Sequence, residues 1–448
     1  MLLHDGPGHS AGIIAESSGT RRLLIVAPHF PPINAPDAQR VRMSLRHYRE
    51  FGWEPHVLTV DPGAQAGARD PLQSLSVPGD VPVTRVGALP VEVTGLFGIG
   101  DVALRSLWQL ARAGHRILRR ERTDLVLFST SLFFSVPLGR WWRARTGVPF
   151  VVDMQDPWAE DRSRTAVGLK RRLAGALHRR LERWTMRRAS GVLAVSPAYI
   201  DVLRSRYPWL GEDVCATVPF GIAPEDLDIA ARHATPAIGR SDGRCRGVYV
   251  GAGGPGMATA LRVLFGALRR MEAADPSVAR SLVLSFIGTD YAPAGTGRPT
   301  VLPIAQEAGI ACDVSEQTDR IGYFEALRTL QVADFVLLIG SDDPQYTASK
   351  ALPCIAAQRP LLAIVHADSP VNGILARYDG AVVVPFRGPE GVDDAIERLV
   401  TAWPRLMAMA GREQPLDWER FEAFGARALT AAQCALFDRV LAAAGALR

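Results

Sequence analysis

Short, uninterrupted apolar runs separated by longer stretches of helical spacing organise the chain from residue 23 onward. Leu23–Ala27, His56–Val60, Asp124–Phe128, Phe150–Asp153, Val192–Ser196 and Val214–Val218 predict strands. These runs are apolar throughout rather than at alternate positions, which predicts a parallel sheet covered on both faces. Val102–Arg120 and Lys170–Ala189 carry apolar residues at helical spacing between them. Strands alternating with helices make βαβ units, so the predicted class is α/β with a doubly wound parallel sheet.

The pattern pauses over Pro219–Arg246, where proline, glycine and scattered charges give the composition of a connection. A second series follows at Gly247–Val250, Leu282–Ile287, Phe335–Ile339, Leu361–Ile364 and Ala381–Val384, and the chain closes on a helical tract, Asp417–Ala444. The predicted organisation is a loose tail over 1–20, a Rossmann-like domain over 21–222, a linker over 223–246, a second Rossmann-like domain over 247–410 and a closing helical segment over 411–448. Two such sheets facing each other enclose a cleft with a binding edge on each wall, because open parallel sheets bind ligands beyond the carboxyl ends of their strands.

Composition narrows the function classes. At 448 residues, 48% hydrophobic and 22% charged, the chain is ordinary globular protein. A net charge of +5 over that length does not argue for nucleic acid. The five cysteines lie far apart in sequence with no paired spacing, which argues against zinc or a disulfide framework and fits a reducing, cytoplasmic setting. No basic start with an apolar core opens the chain, and no apolar run reaches membrane-spanning length. Lys170 and Lys350 are the only lysines among 51 basic residues. A lysine among so many arginines marks a place where a compact ammonium is wanted.

Two segments in the second half predict a phosphate cradle. Gly251, Gly253, Gly254 and Gly256 follow a strand and precede the helical pattern Met257–Arg270, in the spacing GxGxxG. Glycines admit close backbone approach to a diphosphate, and the helix start offers free N–H groups. The acid that a dinucleotide site needs at the end of the next strand is missing, so a phosphate cradle is favoured over a dinucleotide site; a turn that merely packs tightly is the plainer alternative. Downstream, Ser341–Lys350 reads as a loop running into a helix over Lys350–Gln358, with Ser349 as its cap. A lysine in a first helical turn is electrostatically poor unless an anion binds there. Asp342, Tyr346, Ser349 and Lys350 are therefore the candidate donor contacts, against the plainer reading of Lys350 as a solvated lysine.

The first half supplies candidates for the opposite wall. Asp153, Gln155 and Asp156 follow a predicted strand, and carboxylates there suit hydroxyl binding or proton handling, although capping of a helix explains a single aspartate equally well. His29, Asn34 and Arg40 stand on a proline-stiffened loop after the first strand. Finally, Lys170–Arg188 carries eight Lys or Arg against the one acid Glu182, with Leu173, Leu177, Leu181 and Trp184 at helical spacing. Such a segment fits contact with anionic lipid as well as it fits the solvated face of a core helix.

In order, LLIVAPHFPP, VVDMQDPW, GVLAVSPAYIDVL, VPFGI, VYVGAGG, LSFIGTD, YTASK and RPLLAI give a sequence that resembles the family 4 glycosyltransferases of the two-domain GT-B fold. The resemblance covers about residues 22–445. It implies metal-independent, retaining transfer of a sugar from a nucleotide-sugar donor, with no cofactor, to a glycan or lipid-linked acceptor, as in cell-surface polysaccharide synthesis. It implies the donor diphosphate on the second domain at the Gly251 loop and Lys350, the acceptor on the first domain near Asp156, and a final helix crossing back to the first domain.

The sequence also departs from the family pattern. Two glutamates common in the family are replaced by Gln345 and Pro353, a frequent histidine by Gln155, and an arginine of the glycine loop is absent unless Arg262 stands in. The missing glutamates motivate a second reading, a non-catalytic nucleotide-sugar or glycan-binding relative that acts as a partner subunit.

Overall fold

The computed structural model describes residues 20–159, 169–239, 242–344 and 350–446. Seven strands form the first sheet: β1 (Arg21–Val26), β2 (Trp53–Val60), β3 (Val83–Val86), β4 (Leu125–Ser129), β5 (Phe150–Met154), β6 (Gly191–Ala194) and β7 (Cys215–Thr217), in the order β3-β2-β1-β4-β5-β6-β7. The second holds β8 (Cys245–Val250), β9 (Leu282–Ile287), β10 (Asp313–Gln317), β11 (Phe335–Ile339), β12 (Leu361–His366) and β13 (Ala381–Phe386), in the order β10-β9-β8-β11-β12-β13. Every strand pair is parallel, so each sheet has one carboxyl edge.

The helices that shape the site are α1 (Ala38–Ser44), α2 (Leu107–Arg120), α3 (Pro137–Thr146), α4 (Leu169–Met186), α5 (Pro224–His233), α6 (Ala258–Ala274), α7 (Tyr323–Gln331), α8 (Ala351–Ala356) and α9 (Ala426–Ala446). Leu110 and Ile117 of α2 and Trp142 of α3 bury against Val126, Phe128 and Phe150 on one face of the first sheet. On the other face Val41 of α1 meets Leu436, Phe437 and Val440 of α9 over Leu23, Ile25 and Val151. The last helix thus completes the core of the first lobe, and full burial of these side chains contributes roughly 1.5–3 kcal/mol each.

Three expectations need correction, and two strands carried no expectation at all. Residues 223–246 are no irregular linker: α5 occupies Pro224–His233, and its Ala230 packs with Phe324 and Leu327 of α7. Alternating apolar and acidic residues there carry a helical face that the prolines and glycines on either side mask. The predicted helix Val102–Arg120 breaks at Ser106, whose hydroxyl folds back on the Val102 carbonyl at 2.7 Å. The closing tract is interrupted between Phe421 and Ala426, where Ile222 bridges Gly425 and the chain crosses between lobes for the second time. Finally β3 and β10, on the outer edges of the two sheets, have mixed, half-exposed sequences with no apolar run to betray them.

Candidate functional site

The glycine loop leaves β8 at its carboxyl end. Gly251 has φ +139°, and a Cβ there would stand 2.5 Å from Lys350 Cε, so only glycine fits. The Gly251 and Gly253 amides donate to the Ile287 and Thr289 carbonyls of the β9 end, each at 2.8 Å. Gly254 closes the loop by accepting from the Met257 amide at 3.0 Å, and α6 starts without a side-chain cap. The Asp342 amide donates to the Gly256 carbonyl at 2.7 Å, which brings the β11 loop beside the cradle, and the Asp342 side chain is exposed.

Lys350 does not start a helix as its first residue but caps α8 from outside. Its ammonium turns inward and donates to the Tyr249 hydroxyl and to the Ala252 carbonyl, both at 2.7 Å. It also stands 4.9 Å from the centre of the Tyr249 ring. Among the described residues no carboxylate pairs with it. Burial lowers its pKa from 10.5 to about 8. Tyr346 and Ser349, the other predicted donor contacts, lie outside the described residues. Arg262 is exposed one turn into α6, not on the glycine loop.

Across the cleft, the carboxyl edge of the first sheet carries a buried polar network. Arg40 Nε lies 2.9 Å from Asp153 Oδ2, and Arg40 Nη2 donates to the Val218 carbonyl at 2.6 Å. Ser129 donates to the same Asp153 oxygen at 2.7 Å. Gln155 Nε2 lies within reach of Ser129, Asp153 and the Asp37 carbonyl, at 3.0–3.1 Å. His29 Nδ1 meets Asp37 Oδ1 at 2.9 Å, and the other Asp37 oxygen accepts from Thr130 and from Ser131. Burial pushes the Asp37 carboxyl upward, yet His29 and these donors hold it below the usual carboxylate range.

The sequence-predicted residues therefore divide. His29, Arg40 and Gln155 converge on this wall, whereas Asn34 reaches over to the second lobe, donating to the Ile321 carbonyl at 3.2 Å. Asp153, read from the sequence as a hydroxyl contact or a cap, is fully buried and neutralises Arg40, while Asp156 stands exposed just beyond β5. Asp37, Ser129, Thr130 and Ser131 were missed; a run of Ser and Thr directly after a strand is the signal that points to the last three.

Arg40 from one wall and Lys350 from the other line one cleft with about 820 Å³ of open space. Arg40 and Met43 come from the first lobe, Phe220 from the crossing, Tyr323, Lys350 and Pro353 from the second lobe, and Leu429 from α9. Most of the surface is apolar, with Arg40 and Lys350 as its charged groups. Such a cleft suits a ligand with an anionic centre and less polar ends. Among the described residues no three His, Cys, Asp or Glu side chains are grouped to hold a metal ion.

Comparisons with known proteins agree with this architecture. Residues 38–221 match the glycosyl transferase 4-like domain. An alpha,alpha-trehalose 6-phosphate synthase from Burkholderia multivorans superposes with a TM-score of 0.58 at 16% identity, over 95% of this chain and 100% of that one. A sucrose-phosphate synthase from Thermosynechococcus elongatus gives 0.57 at 14% identity, over 94% and 100%. An E. coli structure titled trehalose-6-phosphate, bound with UDP-2-fluoro glucose, gives 0.52 at 11% identity, over 95% of each chain. No curated protein sequence matches the chain.

Proposed function

We propose, on the premise that the chain is a GT4-like protein of the GT-B fold, that it moves a sugar from a nucleoside-diphosphate sugar to a hydroxyl of a glycan or lipid-linked acceptor. The observation that carries this reading is the Lys350 ammonium, buried against the glycine loop on the wall of the interlobe cleft, with no carboxylate partner among the described residues. A buried charge lacking a counter-ion is costly, and a diphosphate supplies one. The solved structure bound with UDP-2-fluoro glucose supports a donor of this class.

As the bond from the sugar to the diphosphate breaks, negative charge grows on the leaving oxygens. Lys350 and the amides at the start of α6 are placed to stabilise it. The acceptor enters on the first-lobe side, where Arg40 lines the cleft and is paired with Asp153, and where His29 and Asp156 follow the carboxyl ends of β1 and β5. Transfer is metal-independent and retains the anomeric configuration, in the manner of the family that the sequence resembles, and serves glycoconjugate or polysaccharide synthesis at the cell surface.

Titration with a panel of nucleoside diphosphates, followed by mass spectrometry of products from nucleotide sugars and candidate acceptors, tests this reading. Binding of a diphosphate with turnover is the expected result, with turnover unaffected by chelator and an axial or equatorial anomer preserved by NMR. No binding of any nucleoside diphosphate overturns it. Pro353 on the cleft wall, in place of a family glutamate, favours the second reading, a non-catalytic partner subunit. Binding without turnover on any acceptor supports that one.

A further inference from the structure

One face of the first lobe is charged far beyond the rest of the chain. Helices α2, α3 and α4 together carry thirteen Lys or Arg and a single acid, although the whole chain is only +5. That acid, Glu182, is fully buried: it pairs with Arg206, accepts from Tyr207 and accepts from the Ala159 amide. The outward positions of these three helices themselves therefore carry no acid, and the helices pack side by side over the first sheet. Burial, together with the charges of Arg188 and Arg187, holds the Arg140 guanidinium below its ordinary pKa.

The same face exposes large apolar side chains. On α4 the outward positions Leu173, Leu177, Arg180 and Trp184 recur at helical spacing, with Leu173 62% exposed and Leu177 50%. On α2, Trp108 is 72% exposed, in a stripe that continues through Arg112, Arg116 and Arg119. Core helices hide such residues; here the apolar side chains are interleaved with cations on the solvent side. Arginine also covers the tryptophans, with Arg140 lying 4.4 Å from the Trp184 ring and Arg145 5.1 Å from the Trp141 ring. Leu89, Val91, Val93 and Leu96 lie on the segment leading to α2, so eight of the thirteen exposed large hydrophobics among the described residues fall between residues 89 and 184.

We propose that this three-helix face docks on the surface of an anionic lipid bilayer, with tryptophan and leucine entering the headgroup region and arginine meeting phosphate. Tryptophan, leucine and arginine interleaved on helix faces that carry no acid of their own are the chemistry of an interfacial element. No helix among the described residues is long and apolar enough to span a membrane, so the contact is peripheral. A nucleic-acid groove would not call for exposed leucines.

The geometry gives the contact a purpose. Chain direction brings α3 and α4 away from the carboxyl ends of β4 and β5, the edge that carries Ser129, Asp153 and Gln155. The N-terminal ends of the docking helices therefore adjoin the acceptor side of the cleft, and a lipid-borne acceptor reaches it along the bilayer surface. This consequence rests on the proposed transfer, whereas the docking itself does not.

Vesicle flotation of the full chain tests the docking without any activity assay. Recovery on vesicles with 30 mol% phosphatidylglycerol is expected to exceed that on pure phosphatidylcholine by at least tenfold, and Arg116→Glu/Arg183→Glu to reduce it about tenfold. Brominated lipid is expected to quench tryptophan fluorescence in the wild-type protein and much less in Trp108→Phe/Trp184→Phe, with circular dichroism unchanged in both variants. Equal recovery on the two vesicle types, capture by heparin but not by lipid, or quenching that survives the tryptophan changes would each overturn the proposal. Loss of transfer with docking intact would instead count against the proposed function.

Discussion

The Lys350 ammonium donates to the Tyr249 hydroxyl at 2.7 Å, and both groups donate to the Ala252 carbonyl of the glycine loop. The side chain that should meet the diphosphate is thus held in place before any ligand arrives. Lys350→Ala is expected to lower transfer about a hundredfold, as for loss of one charge-stabilising group. Tyr249→Phe keeps the ring and is expected to lower it by less. Steady-state kinetics on both variants check this, and unchanged turnover in Lys350→Ala would remove the lysine from the mechanism.

The lowered pKa of that lysine makes a pH prediction with a definite sign. Its folded value is about 8 against an ordinary 10.5, so the folded state disfavours the charged form. Unliganded stability therefore gains from this group as pH rises from about 8 towards 10.5 and does not gain from it below that window. A bound diphosphate favours the ammonium and raises the pKa again. At pH 8 binding should take up roughly half a proton, and at pH 6.5 almost none. Calorimetric titration of a nucleoside diphosphate in buffers of different ionisation enthalpy measures it, and Lys350→Ala should abolish the uptake.

Gly251 links backbone conformation to the same site. With φ at +139° and Lys350 Cε, Cδ and Nζ all within 2.8 Å of an added Cβ, Gly251→Ala meets strain and a clash together. The backbone strain alone is worth about 1–3 kcal/mol. Diphosphate affinity is expected to fall at least tenfold and thermal stability to drop, whereas Gly239→Ala, with open space around it, should change neither. Isothermal titration and thermal unfolding of the two variants make the comparison.

Arg42 joins the lobes through a different kind of contact. Its guanidinium donates to both oxygens of Asp226 at 2.6 and 2.7 Å and lies 4.8 Å from the Tyr323 ring of α7, while Tyr323 donates to Asp226 at 3.1 Å. Arg42 and Asp226 are both buried, so removing one of them strands the charge of the other. Arg42→Met is expected to cost about 3–5 kcal/mol, and Arg42→Met/Asp226→Leu clearly less. Denaturant titration of the two variants checks the ordering; equal losses would mean that the pair is not coupled.

The fold was legible because buried strands write themselves as apolar runs. VLLI in β11 and LLAIV in β12 have no other reading between glycine and proline turns. The edge strands β3 and β10 were illegible for the complementary reason, since half of each faces water and DVSEQ shows no apolar run. At the site, composition pointed to Lys350 and turn chemistry to Gly251, both local signals. The partnership of Arg40 with Asp153 spans 113 positions and follows only from strand order, as does the convergence of Asp37 with Thr130 and Ser131. A sequence read along one dimension offers aspartates as candidates but does not say which one the fold spends on an arginine: Asp153 is buried beneath the wall, and Asp156 faces the solvent.

The two walls of the cleft should separate kinetically. His29 belongs to the first lobe and is held by Asp37, while the diphosphate cradle is built from the second lobe. His29→Ala is therefore expected to raise the KM for acceptor several-fold and leave the affinity for a nucleoside diphosphate unchanged. Asp37→Asn should act similarly and also cost stability, because its carboxyl is held below 3.8 in the folded protein. That stabilisation is present above pH 4 and fades as pH falls further, so the stability gap between Asp37→Asn and the wild-type protein should close on acidification. Acceptor kinetics at saturating donor, with unfolding followed between pH 7 and 3, decide the matter. A change in diphosphate affinity in His29→Ala would show that the walls do not divide the work as the lobes divide the chain.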